Sequence, residues 1–427
     1  MPSRPENIDL PTRPQGRPIV FVSQTFPPDP IAVGQYMADA AAALVERGHS
    51  VTAVTADRAY EDPSQRFSAR ELRCGVSVCR LPFSSLGKRT LLHRIVGQLS
   101  FCLQSILRVT FGKRPRAIVV TTSPPMGGAI GLLVSWLRNC PLIFWVMDIN
   151  PDQAVAMKKV ASGNPLSALL AWCNRWVLRH AAATITLDRF MAARLGAKTT
   201  MNRPPIVIPP WPLTGVPKAK PPEVSHFRAA QGWQGRFVVM FSGNHSPAHP
   251  LDTILHAARE LETDERFLFA FVGGGIGKEG VQQAINDGAR NIVSLPYQPF
   301  EQLEDTLAAA DVHLVAMGTE MVGIVHPCKL YGAMAVGRPI LLLGPENSHA
   351  GEAIQATACG RQVDHGDVAG AVAVLQALAD LSPAARSDLG HRALQVVRQT
   401  YAPEVLSAKF CSAVEGTLHT SPQLSPA

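Results

Sequence analysis

The sequence lacks an apolar run that would make a convincing membrane span. Its most apolar stretch, residues 117–137, is interrupted by Ser123-Pro124-Pro125 and by Gly127-Gly128, which fits a strand, a loop and a helix of a folded core better. The first eighteen residues are rich in proline and polar groups and have no apolar centre, so they do not resemble a signal peptide. These absences predict a cytoplasmic protein.

Signs of disulfide, zinc and divalent-ion chemistry are also missing. The 8 cysteines include no Cys-x-x-Cys pair, and none has a histidine partner at zinc spacing. They are expected to be reduced and mostly buried. Because no Asp-x-Asp motif offers a divalent-ion site either, the sequence predicts no metal site and no bound cofactor.

Carboxylates are scarce in the first half of the chain. Residues 1–214 hold 25 lysine and arginine residues against 12 aspartate and glutamate residues, whereas residues 215–427 hold 15 against 21. The first half therefore carries a net charge of +13, which favours an anionic partner such as a lipid surface or a phosphorylated acceptor. A solvated basic face is the alternative. No nucleic-acid recognition motif accompanies the charge, so no nucleic-acid partner is expected.

One basic segment, residues 88–116, is also amphipathic. Its apolar residues recur at helical spacing, with basic residues at both ends: Leu91, Leu92, Ile95, Leu99, Leu103, Ile106 and Leu107. Such a helix suits a membrane surface, although a helix packed on a sheet has the same apolar stripe. We expect the first domain to associate peripherally with the inner face of the cytoplasmic membrane, with packing on a sheet as the alternative.

Short β-branched runs alternate with amphipathic stretches from one end of the chain to the other, a pattern typical of parallel sheets covered by helices. The pattern predicts an α/β fold of two Rossmann-like, doubly wound parallel-sheet domains facing across a cleft. The expected divisions are a disordered tail at 1–17, a first domain at 18–208, a proline-rich linker at 209–234, a second domain at 235–402, a terminal helix at 403–419 that returns to the first domain, and a tail at 420–427.

The expected strands lie in two series. The first domain has Ile19–Ser23, Val51–Thr55, Ala117–Thr121, Leu142–Val146, Thr184–Leu187 and Ile206–Ile208. The second domain has Phe237–Phe241, Phe267–Val272, Ile292–Leu295, Val312–Ala316 and Ile340–Leu343.

Ligands of open parallel sheets bind beyond the carboxyl ends of the strands, so the loops that follow the strands of the second domain are the first candidates for a binding site. Three of these loops supply glycines, polar groups and an aromatic ring: Gly243, Asn244 and His249 in the first, Gly273, Gly274, Gly275 and Lys278 in the second, and Tyr297 in the third. Glycines let the backbone approach a ligand closely, and free N–H groups at a helix start favour a phosphate.

The fourth loop, residues 320–339, combines two complementary groups. Glu320 is suited to sugar hydroxyls and lies nine residues before Lys329, which is suited to a phosphate. Tyr331 follows on the same predicted helix. The loop ends on Ala333-Met334-Ala335-Val336-Gly337-Arg338-Pro339.

This ending resembles the donor-binding signature of the family 4 glycosyltransferases, which have the GT-B fold and usually retain the anomeric configuration. Residues 26–35 and 47–52 resemble that family's opening, in which a loop containing Gly34 meets the donor diphosphate. Residues 148–152 resemble its aspartate–proline element in the acceptor domain. Residues 242–244 and 327–331 are similar to a bacterial branch that acts in surface polysaccharide assembly.

The sequence departs from the family pattern at four positions. Cys328 stands where the second of two glutamates is common, Asn244 where an arginine is common, and His249 where a lysine is common. Met147 stands where many members have a histidine. The side chains that would neutralise the diphosphate therefore differ from those of the broader family.

The resemblance implies transfer of a hexosyl or N-acetylhexosaminyl unit from a nucleotide diphosphate sugar to a lipid-linked or saccharide acceptor, without a metal. It assigns Glu320 to the donor hydroxyls, Lys329 to the diphosphate or ribose, Gly34 to the phosphate across the cleft, and Asp148 to the acceptor side. A helix cap is the alternative role for Asp148. Two other functions stay open: a sugar-nucleotide 2-epimerase, and a non-catalytic protein that binds nucleotide sugars.

Overall fold

The computed structural model describes residues 16–60, 62–85, 91–161, 163–217 and 220–419, without the side chains of Leu91 and Leu92. The expected tails at 1–17 and 420–427 lie outside these residues, except for Gly16 and Arg17. Lys88 and Arg89, at the start of the basic amphipathic segment, also lie outside them.

The first sheet has eight strands in the described part of the chain, in the order β3-β4-β2-β1-β5-β6-β7-β8. Only β3 pairs antiparallel among them. The strands are β1 (Ile19–Val22), β2 (Val51–Ala56), β3 (Arg70–Arg73), β4 (Val76–Leu81), β5 (Ala117–Thr121), β6 (Leu142–Trp145), β7 (Ala183–Thr186) and β8 (Ile206–Val207). The helices are α1 (Ala32–Glu46), α2 (Leu91–Thr110), α3 (Gly127–Arg138), α4 (Asp152–Ala156), α5 (Pro165–His180) and α6 (Arg189–Lys198).

The second sheet has six strands among the described residues, all parallel, in the order β11-β10-β9-β12-β13-β14. They are β9 (Phe237–Ser242), β10 (Phe267–Val272), β11 (Ile292–Leu295), β12 (Val312–Ala316), β13 (Ile340–Leu343) and β14 (Gly360–Val363). The helices are α7 (His226–Ala230), α8 (Asp252–Glu260), α9 (Lys278–Asn286), α10 (Leu303–Ala308), α11 (Lys329–Ala335), α12 (His349–Thr357), α13 (Val368–Asp380), α14 (Pro383–Val396) and α15 (Pro403–Glu415).

The central strands are apolar because helices cover both of their faces. Every residue of β5, β10 and β13 is buried. Strands of this kind read as continuous runs of apolar residues, which is why the sequence locates them to within a residue or two. The prediction of two parallel-sheet α/β domains is confirmed.

Helix starts follow local capping signals. The Asp188 carboxylate accepts the N–H of Met191 at 2.7 Å and so caps α6. Asn164 caps α5, whose first residue is Pro165. Both arrangements satisfy N–H groups that a helix leaves unpaired at its start.

Three strands are missing from the sequence prediction, and all three lie at or beside an edge of a sheet. Strand β3 is largely exposed and turns into β4 through Cys74 and Gly75, both with positive φ. Strand β14 carries Arg361 and Gln362, so it has no apolar run to detect. Polar side chains are usual on edge strands, since they discourage pairing with other chains.

The segment 209–234, expected to be a linker, includes helix α7 of the second domain. Phe227 and Trp233 pack beside Val238 of β9. Arg228, just after Phe227, forms a buried ion pair with Asp311, with 2.8 Å between Nη1 and Oδ2. The earlier, proline-rich part of the segment is packed as well: Trp211 is fully buried, its ring centroid lies 5.3 Å from that of Tyr36, and its Nε1 donates to Asp39 of α1 at 2.8 Å.

Helix α15 packs on the first domain although it follows the second in sequence. Phe410 is fully buried, and its ring centroid lies 4.4 Å from that of Trp145 and 6.3 Å from that of Phe21. Glu415 pairs with Arg47 at the end of α1 at 2.6 Å. The end of the described chain thereby ties the two domains together.

Among the described helices, no single one is long and apolar enough to cross a membrane; α13 taken with the bent stretch Pro383–Glu415 passes the same test of length and composition.

Candidate active site

Each sheet has one point at which the order of its strands reverses. In the first sheet this point lies between β1 and β5, and in the second between β9 and β12. The loops at the carboxyl ends of the two sheets meet, since the N–H of Ile149 donates to the carbonyl of Ile324 at 3.0 Å. A crevice bounded by two such points is where open α/β sheets bind their ligands.

Two glycine loops form the floor of the second domain's half of this crevice. Gly243 follows β9 and Gly273 follows β10, with φ of +125° and +129°. A Cβ at Gly273 would lie 2.1 Å from the carbonyl oxygen of Gly243. The loops therefore stack at a distance that only glycine permits, and they leave backbone groups open to a ligand.

Lys329 begins α11 and lies over the first glycine loop. Its Cε would contact a Cβ at Gly243 at 3.0 Å, and its ammonium lies 4.8 Å from the centroid of the Phe241 ring. No described carboxylate pairs with it. Burial lowers the pKa of the ammonium to about 8. A lysine that is desolvated without a counter-ion marks a place where an anion would be bound favourably.

Lys278 and His249, the other expected phosphate contacts, have backbone partners instead. The Lys278 ammonium donates to the carbonyls of Gly273 and Leu295, so it holds the second glycine loop in place. His249 Nδ1 lies 2.7 Å from the carbonyl of Ala316. Burial holds the pKa of His249 well below its ordinary value, and the nearby Lys329 charge acts in the same direction. A neutral His249 cannot replace the family's lysine as a charge.

Asn244, Tyr297 and Glu320 lie on the rim of the crevice. Asn244 is exposed and its side chain lies against Gly275. The Tyr297 ring contacts Gly274, and 55% of the residue is exposed. Glu320 is exposed in a 3-10 turn whose last residue, Met321, is buried. All three residues are exposed in loops that follow strands of the second sheet.

Tyr331 does not reach the crevice. It is fully buried, and its hydroxyl lies 2.8 Å from His326 Nε2 and 2.7 Å from His349 Nε2. The structure therefore gives Tyr331 a place behind the site rather than a contact with a ligand.

The first domain closes the crevice with the start of α1. A Cβ at Gly34 would lie 2.9 Å from the backbone nitrogen of Phe26, so glycine lets the helix approach the loop after β1. Neither a capping side chain nor an acidic residue occupies the first turn of α1. Tyr36, two residues on, lies beside the Cys328 thiol at the start of α11. Helix starts from both domains thus meet beside Lys329.

Asp148 follows β6 and lies close to the same thiol. Its N–H donates to Thr122 Oγ1 at 3.1 Å. Burial raises the pKa of the Cys328 thiol to about 12, and the nearby Asp148 charge acts in the same direction. Burial raises the pKa of the Asp148 carboxyl to about 6. The carboxylate caps no helix, because α4 begins only at Asp152. The structure therefore brings Asp148, Tyr36 and Lys329 together around Cys328.

Two family matches cover most of the chain. Residues 32–211 match the family described as Glycosyl transferase 4-like domain, and residues 236–380 match Glycosyl transferases group 1. The chain belongs to the GT-B glycosyltransferases of family 4. It is a glycosyltransferase of the bacterial polysaccharide type, as its sequence predicts.

Two bacterial relatives of this glycosyltransferase span most of both chains. One, named as a probable glycosyltransferase, is WbjE of Pseudomonas aeruginosa, with 25% identity over 79% of this chain and 84% of the relative. The other is WcaI of Escherichia coli, named as a colanic acid biosynthesis glycosyl transferase, with 23% identity over 75% of this chain and 81% of the relative.

Solved structures share the fold across both domains. Sucrose-phosphate synthase of Thermosynechococcus elongatus has a TM-score of 0.73 at 17% identity and covers 94% of this chain and 99% of its own. Anabaena HepE in complex with UDP and glucose has a TM-score of 0.69 at 14% identity and covers 94% of this chain and 100% of its own.

Three contributors to the glycosyltransferase's crevice were not predicted from sequence. Phe241 lies beneath Lys329, and Tyr36 and Cys328 join the domains. Phe241 reads as an ordinary strand residue and Tyr36 as an ordinary helix residue, so no local signal distinguishes them. Cys328 stands out only as the residue in place of the family's second glutamate.

Proposed function

We propose that this glycosyltransferase moves a hexosyl or N-acetylhexosaminyl unit, with retention, from a nucleotide diphosphate sugar to a lipid-linked or saccharide acceptor in surface polysaccharide or glycolipid assembly. The observation that carries the proposal is the half-buried ammonium of Lys329, which no described carboxylate pairs with, above the glycine loop at Gly243. The naming of WcaI for colanic acid biosynthesis supports the pathway class, and the UDP bound in HepE supports the donor class.

The donor diphosphate would lie between the two helix starts. Lys329 supplies a positive charge that no described carboxylate neutralises and that, unlike the Lys278 charge, is not engaged by backbone carbonyls, and the N–H groups at the start of α1 approach from the opposite side. Interactions of this kind stabilise a departing diphosphate most where water is excluded. Tyr297, exposed on the rim, would stack on the nucleotide base, and the exposed Glu320 would accept hydrogen bonds from the sugar.

Asp148 would act on the acceptor side. Its carboxylate lies near Cys328, which directly precedes Lys329 in sequence. A carboxylate there can accept a hydrogen bond from the hydroxyl that attacks the donor sugar, and a pKa of about 6 leaves it ionised at neutral pH.

We also propose that no divalent ion takes part in transfer. Charge on the leaving diphosphate would be balanced by Lys329 and backbone N–H groups. Turnover with the preferred donor should be the same in excess EDTA as in excess Mg²⁺, and a loss of turnover in EDTA that Mg²⁺ restores would contradict this.

One incubation separates the three candidate functions. The folded protein is mixed with a panel of radiolabelled nucleotide diphosphate sugars, UDP-sugars first, and a membrane extract; nucleoside diphosphate release, label in the lipid fraction and donor isomers are then measured. Transfer of label to lipid or saccharide supports the proposal. Isomerised donor without transfer supports an epimerase, and tight binding without turnover supports a non-catalytic sensor.

A lipid-linked acceptor requires the glycosyltransferase to reach a membrane, and one face of the first domain suits that purpose. Helix α2 packs on α3, and α3 packs on α5. These three helices, the three-helix face, expose a group of large apolar side chains: Ile95, Val96, Leu99, Leu103 and Leu107 on α2, Leu133 and Leu137 on α3, and Leu166, Leu169, Trp172 and Trp176 on α5. Apolar exposure of this extent indicates an interaction surface.

The charge of this region supports an anionic bilayer as the occupant of the three-helix face. None of the three helices contains an acidic residue, and the sequence from Leu72 to Leu187 holds 14 lysine and arginine residues against two carboxylates, Asp148 and Asp152. Trp172 and Trp176 stack at 5.5 Å, and tryptophan is the residue that anchors proteins at the membrane interface. We place the glycosyltransferase at the inner face of the cytoplasmic membrane.

A further inference from the structure

A buried polar chain crosses from the first domain to the second behind the crevice. Asp188 Oδ2 lies 2.7 Å from His326 Nδ1, His326 Nε2 lies 2.8 Å from Tyr331 Oη, and Tyr331 Oη lies 2.7 Å from His349 Nε2. Asp188, His326 and Tyr331 are each at most 5% exposed. Asp188 belongs to the loop after β7 of the first sheet, and the other three residues belong to the second domain.

The protons of this chain can be placed so that every group is satisfied. Asp188 stays ionised, because the hydrogen bond from His326 lowers its pKa. His326 then donates from Nδ1 and accepts from the Tyr331 hydroxyl at Nε2, while His349 donates to that hydroxyl. Burying the Asp188 carboxylate between the domains costs desolvation, which the hydrogen bond from His326 offsets, so we expect this link to fix an orientation rather than to add stability.

The chain holds the loop that leads to Lys329. Residues 321–328, the bridging loop, contact the first domain through Cys328 at Tyr36 and at further points: His326 at Asp188, the Ile324 carbonyl at the N–H of Ile149, and Gly323 against the backbone of Phe190. A Cβ at Gly323 would lie 2.7 Å from the Phe190 carbonyl oxygen. Lys329 directly follows the bridging loop, and Ile149 directly follows Asp148.

We infer that Asp188 and His326, supported by Tyr331, are positioning residues that set the distance between the donor half-site at Lys329 and the acceptor half-site at Asp148. This inference rests on the proposed function. Neither residue touches substrate: Asp188 acts through His326, and His326 acts through the bridging loop. A misplacement of about 1 Å in the reacting groups is enough to lower a rate roughly a hundredfold.

The inference predicts different effects on two reactions of the same donor, transfer to the acceptor and hydrolysis by water. Transfer needs both half-sites in register, whereas hydrolysis of the donor by water needs the donor half-site alone. His326→Gln should lower transfer at least about tenfold relative to donor hydrolysis, while the Kd for the nucleoside diphosphate changes less than about threefold. Tyr331→Phe, which keeps the ring but removes the hydroxyl, should shift the same ratio in the same direction by a smaller factor.

Asp188 also caps α6, so its variants must distinguish the cap from the link to His326. Asp188→Asn keeps an oxygen for the cap but removes the charge facing His326. It should reproduce the His326→Gln ratio with α6 intact by circular dichroism. In the double variant Asp188→Asn with His326→Asn, two amides can form a hydrogen bond, and part of the lost transfer should return.

The matched control is the second ion pair between the domains, Arg189 with Glu352, which is exposed on both sides. Arg189→Gln should leave the ratio of transfer to hydrolysis unchanged. Equal losses of transfer and hydrolysis in His326→Gln and Tyr331→Phe would overturn the inference, as would wild-type ratios in both. A wild-type protein that neither binds nucleoside diphosphate nor turns over donor would instead refute the proposed function.

Discussion

The Lys329 ammonium lies 4.8 Å from the centroid of the Phe241 ring and has no carboxylate partner among the described residues. The ring face offers it weak attraction, while burial lowers its pKa to about 8. Without a ligand, the charge therefore destabilises the protein, and a diphosphate would remove that penalty. The presence of Lys329 here is therefore easier to explain by ligand binding than by a contribution to folding.

The first prediction is that Lys329→Met weakens nucleoside diphosphate binding but stabilises the ligand-free protein. Loss of a charge-assisted contact costs about 1.5–3 kcal/mol, so nucleoside diphosphate affinity should fall roughly ten- to a hundredfold by titration calorimetry. The free energy of unfolding of the ligand-free protein should rise on the order of 1–3 kcal/mol, because the variant buries no unpaired charge.

Lys409→Met is the matched control, since Lys409 is exposed on α15. It should change neither quantity. If Lys329→Met left affinity unchanged while remaining folded, the diphosphate site would rest on the glycine loops alone.

A second prediction concerns pH. In the free protein Lys329 loses its proton near pH 8, and a bound anion favours the protonated form and raises that pKa. The affinity for nucleoside diphosphate should therefore be constant below pH 8 and weaken by up to about tenfold for each pH unit above it. Calorimetry from pH 7.5 to 9.5 measures this after the ligand's own phosphate has ionised. A flat profile, matching that of Lys329→Met, would exclude Lys329 as the titrating group.

The sequence locates the glycosyltransferase's fold and the backbone of its site better than the electrostatics of the site. Strands such as β10 and β13 and the loop at Gly273 have local signatures that depend on neighbours in sequence. From the sequence His249 could be predicted only as a donor-binding residue of the first glycine loop, because its burial and its contact with the Ala316 carbonyl are properties of the folded chain. The Asp188–His326 pair joins residues 138 positions apart, and Asp188 has the local signature of a simple helix cap.

The third prediction is that Asp148 sets how the rate of transfer depends on pH below neutrality. Its carboxyl pKa is raised to about 6, so the group is protonated below that pH and cannot accept the proton of the attacking hydroxyl. The kcat/KM for transfer should rise with pH through about 6, and Asp148→Asn should lower transfer by roughly a hundredfold and abolish that limb. Asp152→Asn is the control, because Asp152 pairs with Lys198 and Arg194 instead. If kcat/KM of Asp148→Asn still rose with pH through about 6, the pH dependence would belong to another titrating group.

The fourth prediction is that α15 is a structural part of the first domain. Phe410 is fully buried between Trp145 and Phe21. Phe410→Ala should lower the free energy of unfolding of the first domain by about 3–5 kcal/mol, followed by tryptophan fluorescence in urea. Lys409→Ala, one residue earlier and exposed, should have no effect. An unfolding midpoint unchanged by Phe410→Ala would mean that the helix is dispensable.

The fifth prediction tests the three-helix face with vesicles. Leu103 is 60% exposed and Trp172 52% exposed, and burial of one such side chain in a bilayer interface contributes about 1.5–3 kcal/mol. Leu103→Glu and Trp172→Glu should each weaken co-sedimentation with vesicles containing phosphatidylglycerol at least about tenfold. Because basic residues near an anionic surface contribute about 1 kcal/mol each, wild-type binding should also decline with salt and be weak on phosphatidylcholine alone.

Val224→Glu supplies the control for that experiment, because Val224 is equally apolar and 55% exposed but lies in the second domain. It should bind vesicles as the wild type does. If Val224→Glu and Leu103→Glu weakened vesicle binding equally, the loss would be due to the added negative charge. The three-helix face would then have no specific role in binding. Absence of wild-type binding to anionic vesicles at low salt would refute membrane docking itself, and transfer to a soluble saccharide would then be the form of the reaction to pursue.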